Sequence, residues 1–197
     1  MQNKNAIILF TKNPELGKVK TRLAKTIGNE RALEIYKKLL THTQSIVNPI
    51  DADKFVFYSD SINTDDQWSA TDYYKKLQFD GDLGQRMAAA FQEVFSLGYE
   101  SICIIGSDCY ELTSATIEEG FAKLANFDTV IGPTFDGGYY LLGMKLLHKP
   151  LFQNKNWSTE TVFSDTANDF ETLSLSSYSL KKLSDIDEEK DLPEHWK

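Results

Sequence analysis

Residues 6–11 read AIILFT, a continuous apolar run long enough only for a strand, and runs of this kind recur along the chain. A strand that is apolar at every position, rather than at alternate ones, is covered on both faces, which demands helices on either side of a sheet. Residues 54–59 (KFVFYS), 101–105 (SICII) and 139–144 (YYLLGM) repeat the pattern, while 76–79 and 128–132 give shorter candidates. Helical periodicity fills the gaps. Leu33, Tyr36, Leu39, Leu40, Thr43 and Val47 form one stripe from Asn29 that stops at Asn48-Pro49. Leu83, Met87, Phe91, Val94 and Phe95 form a second, closed by Gly98. Thr113 is placed to cap a third helix without a capping-box partner, since position 116 is Thr, and a fourth is expected from Ser158 to about Asn168. Residues 60–72 read as a loop, 172–178 as extended, and 185–197 as an acidic tail of weak helical character. Strands alternating with helices predict βαβ units: one α/β domain over residues 1–197, three layers (αβα) around a mostly parallel, mixed sheet.

Charge narrows the partners. With 29 acidic against 21 basic residues the chain carries a net charge of −8, which argues against broad nucleic-acid or anionic-membrane binding. No apolar run approaches the length of a bilayer span, and the opening Met-Gln-Asn-Lys-Asn leads into a strand with no small-residue cleavage site, so a cytoplasmic protein is expected. Cys103 and Cys109 are too few and badly placed for a disulfide framework and read as reduced thiols, Cys103 as a small buried hydrophobe.

In open parallel sheets, ligands lie beyond the carboxyl ends of the strands. Four segments merit attention on that rule. After the first strand, Lys12, Lys18, Lys20, Arg22 and Lys25 stand against Glu15 alone, around Gly17, a composition suited to a small polyanion such as a nucleotide phosphate. The loop has neither Walker A nor Rossmann glycine spacing. Gly106-Ser107-Asp108 ends another strand, where the carboxylate either caps a turn or holds a metal bridging phosphates. Asp136-Gly137-Gly138-Tyr139-Tyr140 reads as a hairpin turn or as a polar pocket with stacking tyrosines. Residues 185–194 hold six acids and one lysine, a solvated tail or a source of metal ligands through Asp185 or Asp187.

In this order the four segments resemble the DUF2064 family. The chain shows its P-x-x-G-x-x-K-T-R-L loop as Pro14 to Leu23, and its G-x-D-C turn as Gly106-Ser107-Asp108-Cys109. The D-G-G-Y-Y segment stands at Asp136 to Tyr140, and the terminal D-I-D at Asp185-Ile186-Asp187. Gly81-Asp82-Leu83-Gly84-Gln85-Arg86-Met87 is similar to the family's G-D-L-G-x-R-M helix start. Three departures stand out: Tyr110 where proline is usual, Phe135 where glutamate precedes the D-G-G, and Glu188-Glu189 in place of a Thr-Pro pair.

The resemblance implies the GT-A, or nucleotide-diphospho-sugar transferase, fold. It implies a metal-dependent glycosyltransferase using a nucleotide-diphosphate sugar and a small-molecule acceptor; nucleotidyl transfer from an NTP is the alternative, and a catalytically degenerate nucleotide-binding module a third. On that reading Gly17, Lys18, Lys20 and Arg22 bind phosphate. Asp108 with Asp187 or Asp185 holds Mg²⁺ or Mn²⁺, Asp136 is the catalytic group, and Gly137, Gly138 and Tyr139 line the substrate pocket. The expected partners are the nucleotide-activated donor and the acceptor, without nucleic acid or membrane insertion; a homodimer is left open.

Overall fold

The computed structural model describes residues 4–197. Residues 1–3, part of the N-terminal stretch from which no leader was expected, lie outside it. Seven strands form one sheet in the order β3-β2-β1-β4-β6-β5-β7. β1 (Asn5–Thr11) pairs in parallel with β2 (Asp53–Tyr58) on one side and β4 (Ser101–Ile105) on the other, and β3 (Tyr73–Leu77) extends the parallel set beyond β2. β6 (Tyr139–Met144) runs antiparallel to both β4 and β5 (Thr129–Pro133), and β7 (Ser177–Ser179) adds in parallel to β5.

The apolar runs explain the layering, because alternate residues of one strand supply opposite faces. Ile7 and Leu9 of β1 pack with Tyr36, Leu40 and Val47 of α2 (Asn29–Val47) and Ile117 of α4 (Ser114–Leu124). Ala6 and Ile8 pack with Met87, Phe91 and Val94 of α3 (Leu83–Ser96), a layer completed by Phe170 of α5 (Val162–Thr172). The result is the expected three-layer αβα arrangement. No helix among the described residues is long and apolar enough to cross a membrane.

Several elements differ from the sequence reading. The strand sought at 76–79 lies at Tyr73–Leu77, because Tyr73 is buried against Trp68 while Phe79 is 63% exposed beyond the strand end. A short helix, α1 (Thr21–Ile27), precedes α2 and is separated from it only by Gly28. Ser158 does not start a helix, since its φ of 64° is left-handed; α5 starts at Val162, and Val162, Thr166 and Phe170 make its buried stripe. Of the stretch 172–178 read as extended, Thr172 closes α5 and strand pairing begins only at Ser177, in β7; both cysteines are buried and free. The acidic tail is anchored rather than solvated. Ile186 and Leu192 are buried with Leu23 of α1 and Ile35 and Leu39 of α2, and two 3-10 turns follow at Glu189–Asp191 and Glu194–Trp196.

Candidate active site at the carboxyl edge of the sheet

After β1 the chain crosses to β2 and β3 on one side, and only later to β4 on the other, so the topological switch lies between β1 and β4. A cleft of about 640 Å³ opens at that edge, within the range of about 300–1,000 Å³ usual for small-molecule sites. Thr11 and Lys12, Gly106 to Asp108, Asp136, Asp185 and Asp187 all line it. The four segments singled out in sequence are therefore brought to one place, although not residue by residue.

Backbone bonds do the gathering. Leu183 pairs with Thr134 in a parallel bridge, and the Phe135 N–H donates to the Leu183 carbonyl at 3.1 Å. Further on, the Ile186 N–H donates to the Asp108 carbonyl at 3.0 Å. The tail thus runs along the sheet edge as an added layer, and Asp185 and Asp187 arrive beside Asp108. Asp191 holds the following turn, its carboxylate accepting the N–H groups of Asp187 (3.2 Å) and Glu188 (2.8 Å).

Lys20 sits among these carboxylates. Its ammonium lies 2.8 Å from Asp108 Oδ1 and 3.4 Å from Asp187 Oδ1, and donates to the Ile186 carbonyl at 2.6 Å. Its side chain is only 5% exposed. Burial lowers the pKa of such an ammonium, but Asp108 and then Asp187 outweigh that effect, and the group is held above its ordinary value, charged. The Lys20 backbone is left-handed at φ 47°, a strained conformation for a residue with a β-carbon and one that clusters at functional sites. Arg22 binds the other oxygen of Asp187 at 3.2 Å. Gly17 and Lys18, expected on phosphate with these two, lie outside the cleft wall: Gly17 takes the turn at φ 76°, and Lys18 pairs with Glu15 at 2.6 Å.

The carboxylates are not equivalent. Both oxygens of Asp187 are engaged by Lys20 and Arg22, whereas Asp108 uses one on Lys20. Asp185 makes no hydrogen bond or ion pair among the described residues, and its carboxyl is pushed up to about 7, first by burial and then by Asp108 and Asp136. Asp136 directs one oxygen to the Thr134 hydroxyl and the Gly138 N–H (3.1 Å), which shapes its turn, and still lines the cleft. The segment is thus the turn between β5 and β6, with its aspartate facing the cleft. Gly138 and Tyr139 border the cleft; Gly137 does not, and serves packing. Its φ is 91°, and a β-carbon there would meet the Glu160 carbonyl oxygen at 2.0 Å.

No group of three or more His, Cys, Asp or Glu stands in metal-binding geometry among the described residues. The donor chemistry nevertheless fits a hard cation: Asp108 and Asp185 offer uncommitted carboxylate oxygens, and Asp185 feels Lys20 only at a distance, without a direct ion pair among the described residues.

Asp185 carries a pH prediction. Its folded-state pKa is raised above the unfolded value, so the folded protein binds the extra proton between about pH 4 and 7. Its contribution to stability is greatest below that window and is lost as pH rises through it. Asp185→Asn should match the parent at pH 4 and exceed it at pH 8 without metal, by on the order of 3 kcal/mol. Equal unfolding free energies of the two at pH 8 would contradict the placement.

The mixed, mostly parallel sheet between helical layers is that of the nucleotide-diphospho-sugar transferase fold. The chain belongs to the DUF2064 family, described as an uncharacterized protein conserved in bacteria, whose profile matches residues 43–159. That match includes Asp108, Asp136 and the Gly81–Met87 segment, and excludes the basic loop and the tail. The crystal structure of a protein from Desulfovibrio desulfuricans G20, provisionally described as a nucleotide-diphospho-sugar transferase, is similar at 29% identity with a TM-score of 0.88, covering 95% of this chain and 84% of that one. More distant likeness, in fold alone, extends to 4-diphosphocytidyl-2C-methyl-D-erythritol synthase from Anaerococcus prevotii (12% identity, TM-score 0.58, 95% and 92% covered). The inositol-1-phosphate CTP transferase of T. maritima is comparable (11%, 0.54, 98% and 92%). No curated protein matches the sequence.

Proposed function

We propose that the protein is a transferase acting on a nucleotide-activated donor and a small-molecule acceptor, with glycosyl transfer from a nucleotide-diphosphate sugar as its reaction. The observation that carries this is the convergence of Asp108, Asp136, Asp185 and Asp187 with Lys20 and Arg22 in one cleft at the carboxyl edge of the sheet. Asp108 and Asp185 would hold Mg²⁺ or Mn²⁺, and Asp187 orients Lys20 and Arg22 beside them. When bound, the cation neutralises charge gathering on the diphosphate leaving group. Arg22, more than half exposed, is free to turn its guanidinium toward phosphate, while Lys20 keeps the carboxylates from repelling one another. Asp136, fixed through one oxygen, presents the other to the acceptor hydroxyl as general base.

Nucleotidyl transfer is the second reading, favoured by the likeness to cytidylyl-transferring enzymes. Products decide between the two. Glycosyl transfer releases nucleoside diphosphate from a sugar nucleotide and no pyrophosphate from an NTP; pyrophosphate formed from NTP and a phosphorylated acceptor would select the second. A panel of sugar nucleotides and NTPs giving neither product would reject both.

Asp136→Asn separates turn from chemistry. Asparagine keeps an oxygen to accept from Thr134 and Gly138, so fold and nucleotide affinity should persist while turnover falls about 100-fold or more, the scale of general-base loss. Unchanged turnover would reduce Asp136 to its turn.

A further inference from the structure

Of the cations that line the cleft, Lys20 and Arg22 are already paired with carboxylates. Arg86 and Lys12 are not: neither side chain has an acidic partner among the described residues, yet both open onto the same cleft. We propose that Arg86, assisted by Lys12, is an anion subsite that takes a phosphate or carboxylate group of a substrate, separate from the carboxylate-rich end around Asp108.

Arg86 is built to do this. It lies in the first turn of α3, and its Nε donates to the Gly81 carbonyl at 2.8 Å, which fixes the plane of the guanidinium. The loop that carries this carbonyl is itself held by a reciprocal cap: the Gln85 N–H donates to Asp82 Oδ1 at 2.8 Å, and the Asp82 N–H to Gln85 Oε1 at 3.0 Å. Gly84 lets the turn close on its neighbours, since a β-carbon there would meet the Phe152 carbonyl and the Trp157 ring at 2.5 Å. The two Nη groups make no hydrogen bond to the described protein. A half-buried, oriented and uncommitted guanidinium suits the bidentate geometry of a phosphate or carboxylate. Lys12 has its backbone N–H held by the Tyr36 hydroxyl at 2.9 Å, just beyond the end of β1, and its ammonium has no acidic partner among the described residues. The charge balance points the same way. An anionic ligand entering a cleft with four aspartates needs cations that are not already neutralised.

The inference rests on reading the cleft as a nucleotide site, and it can be tested apart from that reading. Inorganic pyrophosphate, UDP, GDP and glycerol 3-phosphate are titrated calorimetrically in EDTA, so that no metal contributes. Arg86→Gln should weaken the anions that use the subsite tenfold or more, and Lys12→Gln by a smaller factor. Loss with UDP, GDP and pyrophosphate assigns the subsite to the donor; loss confined to glycerol 3-phosphate assigns it to the acceptor. Arg86→Lys, which keeps the charge without the fork, should fall between the parent and Arg86→Gln, and it serves if the latter is poorly folded. Parent-like affinities for all four probes in the folded Arg86 variants would overturn the inference and leave the proposed function standing. A parent protein that binds no nucleotide with or without metal would remove the function, while the pyrophosphate arm would still decide the subsite.

Discussion

Asp108→Asn should abolish metal-dependent nucleotide binding and activity together. Asparagine preserves the size of the side chain and leaves the backbone carbonyl that receives the Ile186 N–H, so the tail stays docked along the sheet edge. What is lost is one negative charge facing Lys20 and one anionic oxygen for the cation. Even residues that only support a metal ligand cost 10–100-fold when removed, so loss of a ligand charge should lower nucleotide affinity in Mn²⁺ at least on the order of 100-fold. In EDTA the two proteins should bind alike. A variant that retained the full Mn²⁺ enhancement would move the metal away from Asp108.

Lys20→Met should act on stability, and metal should repair the damage. Methionine fills most of the volume of the lysine stem, so the change isolates the charge. Removing one member of a buried ion pair costs about 3–5 kcal/mol when the partner is stranded. Here the partners are 47% (Asp108) and 39% (Asp187) exposed, so water meets part of that demand and about 2 kcal/mol is expected. For a chain of this size that corresponds to a fall in Tm of about 4–8 °C in EDTA. Because a divalent cation supplies the missing positive charge, Mn²⁺ should raise the Tm of Lys20→Met more than that of the parent. An unchanged Tm in EDTA, or an equal Mn²⁺ effect on both proteins, would show that Lys20 is not the counter-charge of the cluster.

Legibility in the sequence followed the range of the interactions. β1, β4 and β6 and the helix α2 were readable because a buried strand and an amphipathic stripe are local patterns, visible in 6–11, 101–105, 139–144 and 33–47. The position of the cleft was readable too, because the sheet topology sends the segments after β1, β4 and β5 to one edge. The partners of Lys20 were not, since Asp108 and Asp187 lie 88 and 167 positions away, and composition presents a lysine in a basic loop only as an unpaired cation. The tail misled for the complementary reason: its acids hid Ile186 and Leu192, whose burial against α1 and α2 anchors Asp185 and Asp187. The start of α5 was displaced because the contact that orders it, the Phe163 N–H to the Gly137 carbonyl at 2.8 Å, joins distant segments.

The central claim is that a divalent cation and a nucleotide phosphate meet at Asp108 and Asp185. The direct test is the thermal stability of the full chain with UDP or GDP, in Mn²⁺ and in EDTA, at pH 8, where Asp185 is largely ionised. Stabilisation follows affinity, reaching about 2.7 kcal/mol at a ligand concentration 100 times Kd. Either nucleotide should stabilise the protein in Mn²⁺ well beyond the sum of the metal and nucleotide effects measured separately, and the excess should vanish in Asp108→Asn. Equal nucleotide shifts in Mn²⁺ and EDTA, or no shift in either, would contradict the account.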